Sequence, residues 1–365
     1  MEKEIVKIPL NNKGLSLYKE AVLCLSDVYS REGWRLLKND VVGALQTNQL
    51  DVSRVERALE TAMLAHKEIS LGRHGLSAIM LYELVLAGSC SVADIEKKYD
   101  KSTASIVSGL VKAYGLYQRN VAVETENFRK LLISFAEDAR VILIMIVERL
   151  HVMRSLDIYT DEEQQKIARE VSYLYAPLAH RMGLYAIKTE LEDLSLKYTA
   201  RDIYKEIAQK LNETKRSRDI YIDSFIEPVK EQLKAQGLNF SIKGRTKSIH
   251  SIWTKIRKQQ VPFEKVYDLF AIRIIIDCPE EKEKAACWQA FSVVTNMYSY
   301  NTNRLRDWIS APKANGYESL HVTVMGPEGK WVEVQIRTKR MDEVAEKGVA
   351  AHWKYKGGKS DSEKM

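Results

Sequence analysis

A chain of 365 residues with 45% hydrophobic and 29% charged residues has the composition of a globular protein, which excludes fibrous and disordered classes. Its length exceeds one ordinary core and implies two or three domains of roughly 100–200 residues each. A net charge of +7 admits acidic partners such as nucleotides without selecting one.

The N-terminal MEKEIVKIPL lacks the apolar core of a signal peptide, and no run of about 18 apolar residues follows, so a cytoplasmic protein with no membrane partner is expected. From about Leu15 to Leu196 apolar residues recur every three or four places, which predicts a helical domain over residues 1–196. Breaks are expected near Asn39 to Asp51, at Gly72, around Gly88 to Ser91, near Tyr114 to Val121 and at Thr160. Cys24, Cys90, Cys278 and Cys287 form no C-x-x-C pair, so neither a zinc knuckle nor a disulfide framework is indicated. Residues 197–238 read as linking helices.

After Asn239 short strand patterns alternate with helices, predicting a mixed α/β domain over 239–357. The stretch GRTKSIHSIWTK, Gly244 to Lys255, reads as a helix capped by Thr246. Lys247, Ser251 and Lys255 then share one stripe and Ile249, Ile252 and Ile256 the other. With Arg245 just before the helix start, where unpaired N–H groups favour an anion, this becomes a polyphosphate cradle. The competing account is a solvated basic face.

Asp268 opens the strand LFAIRIIID, with Arg273 five residues on. ESLHVTVMG and KWVEVQIRT form a hairpin about Pro327 to Gly329. Alternation puts Ser319, His321 and Thr323 on one side of the first strand and Glu333, Gln335 and Arg337 on one side of the second, so the two polar faces form one floor. Asp268 and Glu333 have the chemistry to hold Mg²⁺ against a triphosphate. Between them, NRLRDWISAPKANGYESLH brings cations for phosphates and Tyr317 for a base. Residues 358–365 have linker composition and no closing element, which raises the expectation of a further domain downstream.

The series G-R-x-K-S-x-x-S-I-x-x-K-I, Y-D-L-x-A-I-R, R-x-R-D, A-P-K-x-N-G-Y-x-S-L-H, E-V-Q-I-R-T and A-E-x-G-x-A-A-H-W-x-Y-K, in that order over Gly244 to Lys356, resembles the synthetase domain of the RelA/SpoT family. The segments RVILIMIVERLHVMRSLD and YLYAPLAHRMGLYAIKTELEDLSLKY resemble its HD hydrolase domain and the helices that follow. The resemblance implies an α-helical HD-hydrolase-like domain followed by a nucleotidyltransferase-like synthetase domain. The implied reaction moves the β,γ-pyrophosphate of ATP to the 3′-hydroxyl of GTP or GDP, making pppGpp or ppGpp. It assigns Asp268 and Glu333 to Mg²⁺, with Glu333 also a base for the 3′-hydroxyl. Lys247, Ser251 and Lys255 go to ATP phosphates, and Arg245 and Arg273 to the two faces of adenine. Tyr317 goes to guanine, and Arg304, Arg306, Lys313, Asn315, His321 and Gln335 to the rest of the acceptor site.

The N-terminal half departs from the family pattern. Where hydrolase-active members carry LHDVVED this chain has LYELVLA, so Tyr82, Glu83, Leu86 and Ala87 replace Mn²⁺ ligands and their neighbours. Glu148 and Val152 stand where Asp and Asn belong, and His66, His74 and His151 make up no recognised metal spacing. A pseudo-hydrolase domain without Mn²⁺ is therefore expected. The rivals are a bifunctional synthetase and hydrolase with an atypical Mn²⁺ site, and a silent guanine-nucleotide or RNA sensor. The R-x-R-D version of the third motif resembles that of bifunctional members, a resemblance that implies GTP as acceptor and a single Mg²⁺. DNA is not an expected partner, a ribosome contact is expected only if a regulatory region lies beyond this chain, and the oligomeric state is left open.

Overall fold

The computed structural model describes residues 10–119, 138–266 and 269–348, and the chain divides into two compact units. The first comprises residues up to Thr160 together with Tyr173–Leu178, the second Asp161–Ser172 and everything from Ala179 on. The division falls ahead of residue 196, so helices expected to close the helical domain or to link the halves pack within the second unit.

The first unit is helical: α1 (Asn12–Cys24), α2 (Arg31–Gln46), α3 (Val52–Ile69), α4 (Arg73–Leu86), α5 (Val92–Lys98), α6 (Lys101–Arg119) and α7 (Ala139–Arg154). Helix α7 is its centre. Val141, Ile142, Leu143, Ile144, Ile146, Val147, Leu150 and Met153 are all buried, as expected of a helix that is apolar all round. The break expected from Asn39 begins only at Thr47. Leu37, Val41, Val42 and Leu45 keep the apolar stripe going, while Asp40 points outward to accept from the Tyr99 hydroxyl at 2.6 Å. The break near Tyr114 to Val121 lies partly outside the described residues, and α6 continues to Arg119. Among the described residues no helix is long and apolar enough to cross a membrane.

The second unit begins with α8 (Asp161–Glu170). The chain continues through a π-helical turn at Val171–Tyr175 into α9 (Ala176–Arg181), a stretch of which Tyr173–Leu178 belong to the first unit. The second unit resumes with the end of α9, α10 (Tyr185–Thr199), α11 (Arg201–Glu213) and α12 (Lys215–Ala235). A five-stranded sheet follows, in the order β1 (Phe240–Thr246), β2 (Phe270–Ile276), β5 (Trp331–Thr338), β4 (Leu320–Met325) and β3 (Arg306–Asp307). Only β2 and β5 run parallel. Helices α13 (Ile249–Gln259), α14 (Glu283–Met297) and α15 (Lys339–Lys347) complete the unit. Alternation sorts the sheet into two faces. Ile272, Ile274, Ile276, Leu320, Val322, Val324, Val332, Val334 and Ile336 all lie on one of them and form a core with Phe225 and Val229 of α12 and Cys287, Ala290 and Val294 of α14. The opposite face carries the polar side chains.

Candidate active site

Pairing aligns Lys243, Arg273, Gln335, His321 and Arg306 in one row across all five strands, and Thr323 and Glu333 in the next. The floor expected from the hairpin is present, and β1 and β2 extend it. Its centre is Glu333, half-buried on β5. Glu333 Oε2 accepts from Lys247 Nζ at 2.7 Å and Oε1 from Gln335 Nε2 at 3.0 Å, with His321 Nδ1 3.3 Å from Oε1. His321 Nε2 in turn lies 2.7 Å from the Tyr317 hydroxyl. Burial pushes the Glu333 carboxyl up, but the His321 hydrogen bond and the Lys247 charge outweigh it and hold the group well below the usual carboxylate range. Burial depresses the His321 imidazole, against the pull of Glu333.

Glu333 therefore suits a divalent cation in kind: an ionised oxygen donor that already holds a cationic group beside it. Among the described residues no three His, Cys, Asp or Glu side chains converge on a common point. Asp268, the other expected metal ligand, lies outside the described residues.

The cradle differs from the sequence reading. Gly244, Arg245 and Thr246 belong to β1, which pairs with β2 as far as Thr246 opposite Phe270, so Thr246 caps no helix. Helix α13 starts at Ile249, and Ser248 caps it by accepting from Ser251 N at 3.2 Å. The free N–H groups read as an anion site are occupied by α10. Asp193 Oδ1 accepts from His250 N at 2.8 Å and Oδ2 from Ile249 N at 3.3 Å. Lys247, just ahead of the helix, is the cradle residue joined to Glu333. Ser251 Oγ meets Ser248 Oγ at 2.8 Å, and Lys255 is half-buried further along α13. The apolar stripe behaves as expected: Ile252 is fully buried with Ile207 and Phe263, and Ile249 and Ile256 pack against them.

In the loop expected to take the acceptor, Asp307 Oδ1 accepts from Ile309 N and Ser310 N at 3.0 and 2.8 Å, and a turn from Lys313 to Gly316 closes by Gly316 N to Lys313 O at 2.8 Å. Gly316 has φ 77°, a conformation that favours glycine. Tyr317 is 7% exposed, because other rings cover it. Tyr185 meets it edge-on at 5.0 Å and Trp308 at 5.9 Å. The Lys313 ammonium stands among all three rings, 4.1 Å from Trp308, 4.8 Å from Tyr317 and 5.6 Å from Tyr185. Asn315 Nδ2 donates to the Tyr185 hydroxyl at 2.9 Å. Arg304 and Arg306 are exposed, the latter donating to the carbonyls of Asn303 and Leu305 at 3.0 Å.

Arg245 is exposed on β1 and lies on the same sheet face as Arg273. Arg273 is not held open as one side of a ring slot. Its Nη1 is 2.9 Å from Glu346 and 3.4 Å from Asp342 of α15, and the fully buried Arg337 shares both carboxylates at 3.5 and 2.5 Å.

In the first unit Tyr82, Glu83, Glu148 and Val152 line one cavity of about 290 Å³ together with Arg57, Arg149 and Tyr175. Leu86 and Ala87 end α4 away from that lining. Glu83 is buried and held by Arg54 at 2.6 Å and Arg57 at 3.2 Å, and the Tyr82 hydroxyl donates to Glu148 at 2.7 Å. Burial pushes the Glu148 carboxyl up to about 7, with the Tyr82 hydrogen bond opposing and Glu83 adding to the rise. His66, His74 and His151 each lie beside a carboxylate, Asp27, Asp100 and Glu60 respectively.

Sequence reasoning assigned no role to Asp193, Tyr185, Trp308, Asp342 or Glu346. The first two sit eight residues apart on one helix, a spacing with meaning only once the partners of that helix are known.

The two parts define a composite protein, an HD domain followed by a mixed α/β domain. The HD domain pattern matches residues 43–185, and the pattern described as a region found in RelA/SpoT proteins matches 244–360. A GTP pyrophosphokinase of Photobacterium angustum is 36% identical over 297 residues, 80% of this chain and 39% of that protein. A probable guanosine-3′,5′-bis(diphosphate) 3′-pyrophosphohydrolase of Synechocystis is 38% identical over 283 residues, 77% of this chain and 37% of that one. The bifunctional (p)ppGpp synthase/hydrolase SpoT of Escherichia coli is 35% identical over 290 residues, 79% of this chain and 41% of that one. The chain belongs to the RelA/SpoT family. It spans about two fifths of the length of these relatives.

Proposed function

We propose that the α/β unit is a (p)ppGpp synthetase. The 3′-oxygen of GTP or GDP forms a bond to the β-phosphorus of ATP, the bond from that phosphorus to the bridging oxygen on the α-phosphate breaks, AMP departs with that oxygen, and the 3′-hydroxyl proton passes to a base. One observation carries the reading: Lys247, Glu333, Gln335, His321 and Tyr317 form a single connected set on the polar sheet face, with Glu333 ionised at its centre. Two polyanions must be brought together, and most of the catalysis is positioning and charge neutralisation.

Lys247 and Lys255 hold donor phosphates, with Ser251 beside them. Arg245 faces adenine, and Tyr317 with Lys313, Asn315 and His321 takes the acceptor. Glu333 accepts the 3′-proton. Asp268 and Glu333 are the residues that would hold Mg²⁺, which when bound neutralises phosphate charge. Arg273 acts from its ion pairs with α15 rather than as one wall of an adenine slot. Purified protein with ATP, Mg²⁺ and GDP or GTP, resolved by anion exchange, should give AMP and the 3′-pyrophosphorylated nucleotide in equal amounts. Absence of both with each acceptor overturns the proposal.

We further propose that the HD unit does not hydrolyse this product. Arginine pairing of Glu83 and the Tyr82–Glu148 hydrogen bond commit the polar groups of its cavity to one another. Release of pyrophosphate from ppGpp in Mn²⁺ at an enzymatic rate would restore the bifunctional reading.

A further inference from the structure

Helix α10 touches both halves of the proposed site. Towards its C-terminal end Asp193 accepts from the first two N–H groups of α13, and the neighbouring Glu192 lies 3.4 Å from His250 Nδ1 and 2.7 Å from Lys188. At its N-terminal end the Tyr185 hydroxyl accepts from Asn315, and its ring covers Tyr317 and lies near the Lys313 ammonium. Ile187 and Leu191 on the same helix are buried, so α10 is anchored between those contacts. Eight residues of α-helix span about 12 Å, and a packed helix changes that length very little.

A carboxylate on the leading N–H groups of α13 has two effects. It completes the N-cap begun by Ser248, and it fixes the start of the helix behind Lys247, the residue just ahead of that cap, which reaches Glu333. The acceptor loop has no helix of its own next to Tyr317. Its turn is instead tied to α10 through Asn315, with the backbone close enough that a Cβ on Gly183 would stand 3.4 Å from the Asn315 carbonyl.

We propose that α10 is the spacer that sets donor and acceptor nucleotides at reacting distance, with Asp193 and Tyr185 as positioning residues for the two sides. Transfer requires the reacting atoms about 3–3.5 Å apart, and a displacement of about 1 Å costs on the order of 100-fold in rate. The inference rests on the synthetase reading above.

The test compares the full chain with Asp193→Ala, Asp193→Asn and Tyr185→Phe. Turnover is measured with both nucleotides saturating. Binding stoichiometry is measured for GDP and for a methylene analogue of ATP that cannot transfer. The third measurement is paramagnetic relaxation of the GDP ribose protons by Mn²⁺ bound with that analogue. Asp193→Ala and Tyr185→Phe should each lower kcat at least 10-fold while about one nucleotide of each kind still binds per chain, and ribose relaxation should fall. Asp193→Asn keeps one carbonyl acceptor, for the shorter bond from His250 N, and loses the one from Ile249 N, so it should recover part of the rate. A kcat within threefold of the parent in both variants overturns the proposal, as does a loss of binding stoichiometry in proportion to rate. If the parent binds both nucleotides with strong ribose relaxation yet transfers nothing, the synthetase reading fails. The spacer is then judged on relaxation alone: a fall in the variants supports it, and unchanged relaxation overturns it. If the parent binds neither nucleotide, both fall.

Discussion

Glu148→Gln isolates the electrostatics of the HD-unit cavity. The wild-type carboxyl, ordinarily near 4.5, is pushed to about 7 by burial and by Glu83. The folded chain therefore holds a proton that the unfolded chain gives up between those values. The resulting stability is fully present below about pH 4.5 and is lost as pH rises through about 7. At about 1.36 kcal/mol per unit, a rise from 4.5 to about 7 sets a ceiling near 3.4 kcal/mol. Glu148 is half-buried and lines an open cavity, so solvent screening reduces this to about 1–2 kcal/mol. Glutamine stays neutral and still accepts from the Tyr82 hydroxyl. The variant should match the parent at pH 5 and exceed it at pH 8, raising the melting transition of the helical unit by about 2–8 °C. Calorimetry of the full chain at both pH values, with hydrogen exchange of α7 amides to assign the transition, is the assay. An equal shift at the two pH values, or a variant less stable at pH 8, refutes the reasoning.

Tyr317→Ala removes a stacking surface worth about 1–3 kcal/mol and should weaken acceptor use by roughly 5- to 150-fold with a smaller effect on ATP, read from the two KM values. Asp268→Asn should abolish turnover while circular dichroism stays unchanged; activity within about tenfold of the parent, a barrier change of about 1.4 kcal/mol, removes it from the metal site. Gly244→Ala places a Cβ 2.7 Å from Ile222 Cγ2 and should cost about 1–3 kcal/mol in urea denaturation, and the same substitution made on top of Ile222→Ala should cost less, as a double-mutant cycle reads.

Period-two alternation was enough to foresee the polar floor, because Glu333, Gln335, His321 and Thr323 share one face whatever the neighbouring strands do. The helical half was equally legible from its apolar spacing. The start of α13 was not, since Thr246 is a good cap by type and only its pairing opposite Phe270 makes it strand. Nor could spacing show that Asp193 fills the helix N-terminus or that Asp342 and Glu346 claim Arg273. These contacts join residues 56 to 73 positions apart. The sequence offers Tyr317 as an aromatic for a base, but the covering rings of Tyr185 and Trp308 come from separate segments.

The ammonium held among those three rings gives the protein a built-in optical reporter. Trp308 has a charge 4.1 Å from its ring centroid, so its emission is sensitive to where Lys313 goes. On the proposed function, a purine that stacks on the Tyr317 face nearest Lys313 displaces that cation first, and its capture takes two steps. Stopped-flow traces at increasing GDP should level off at the rate at which the lysine leaves, a ceiling that a diffusion-limited encounter would not show.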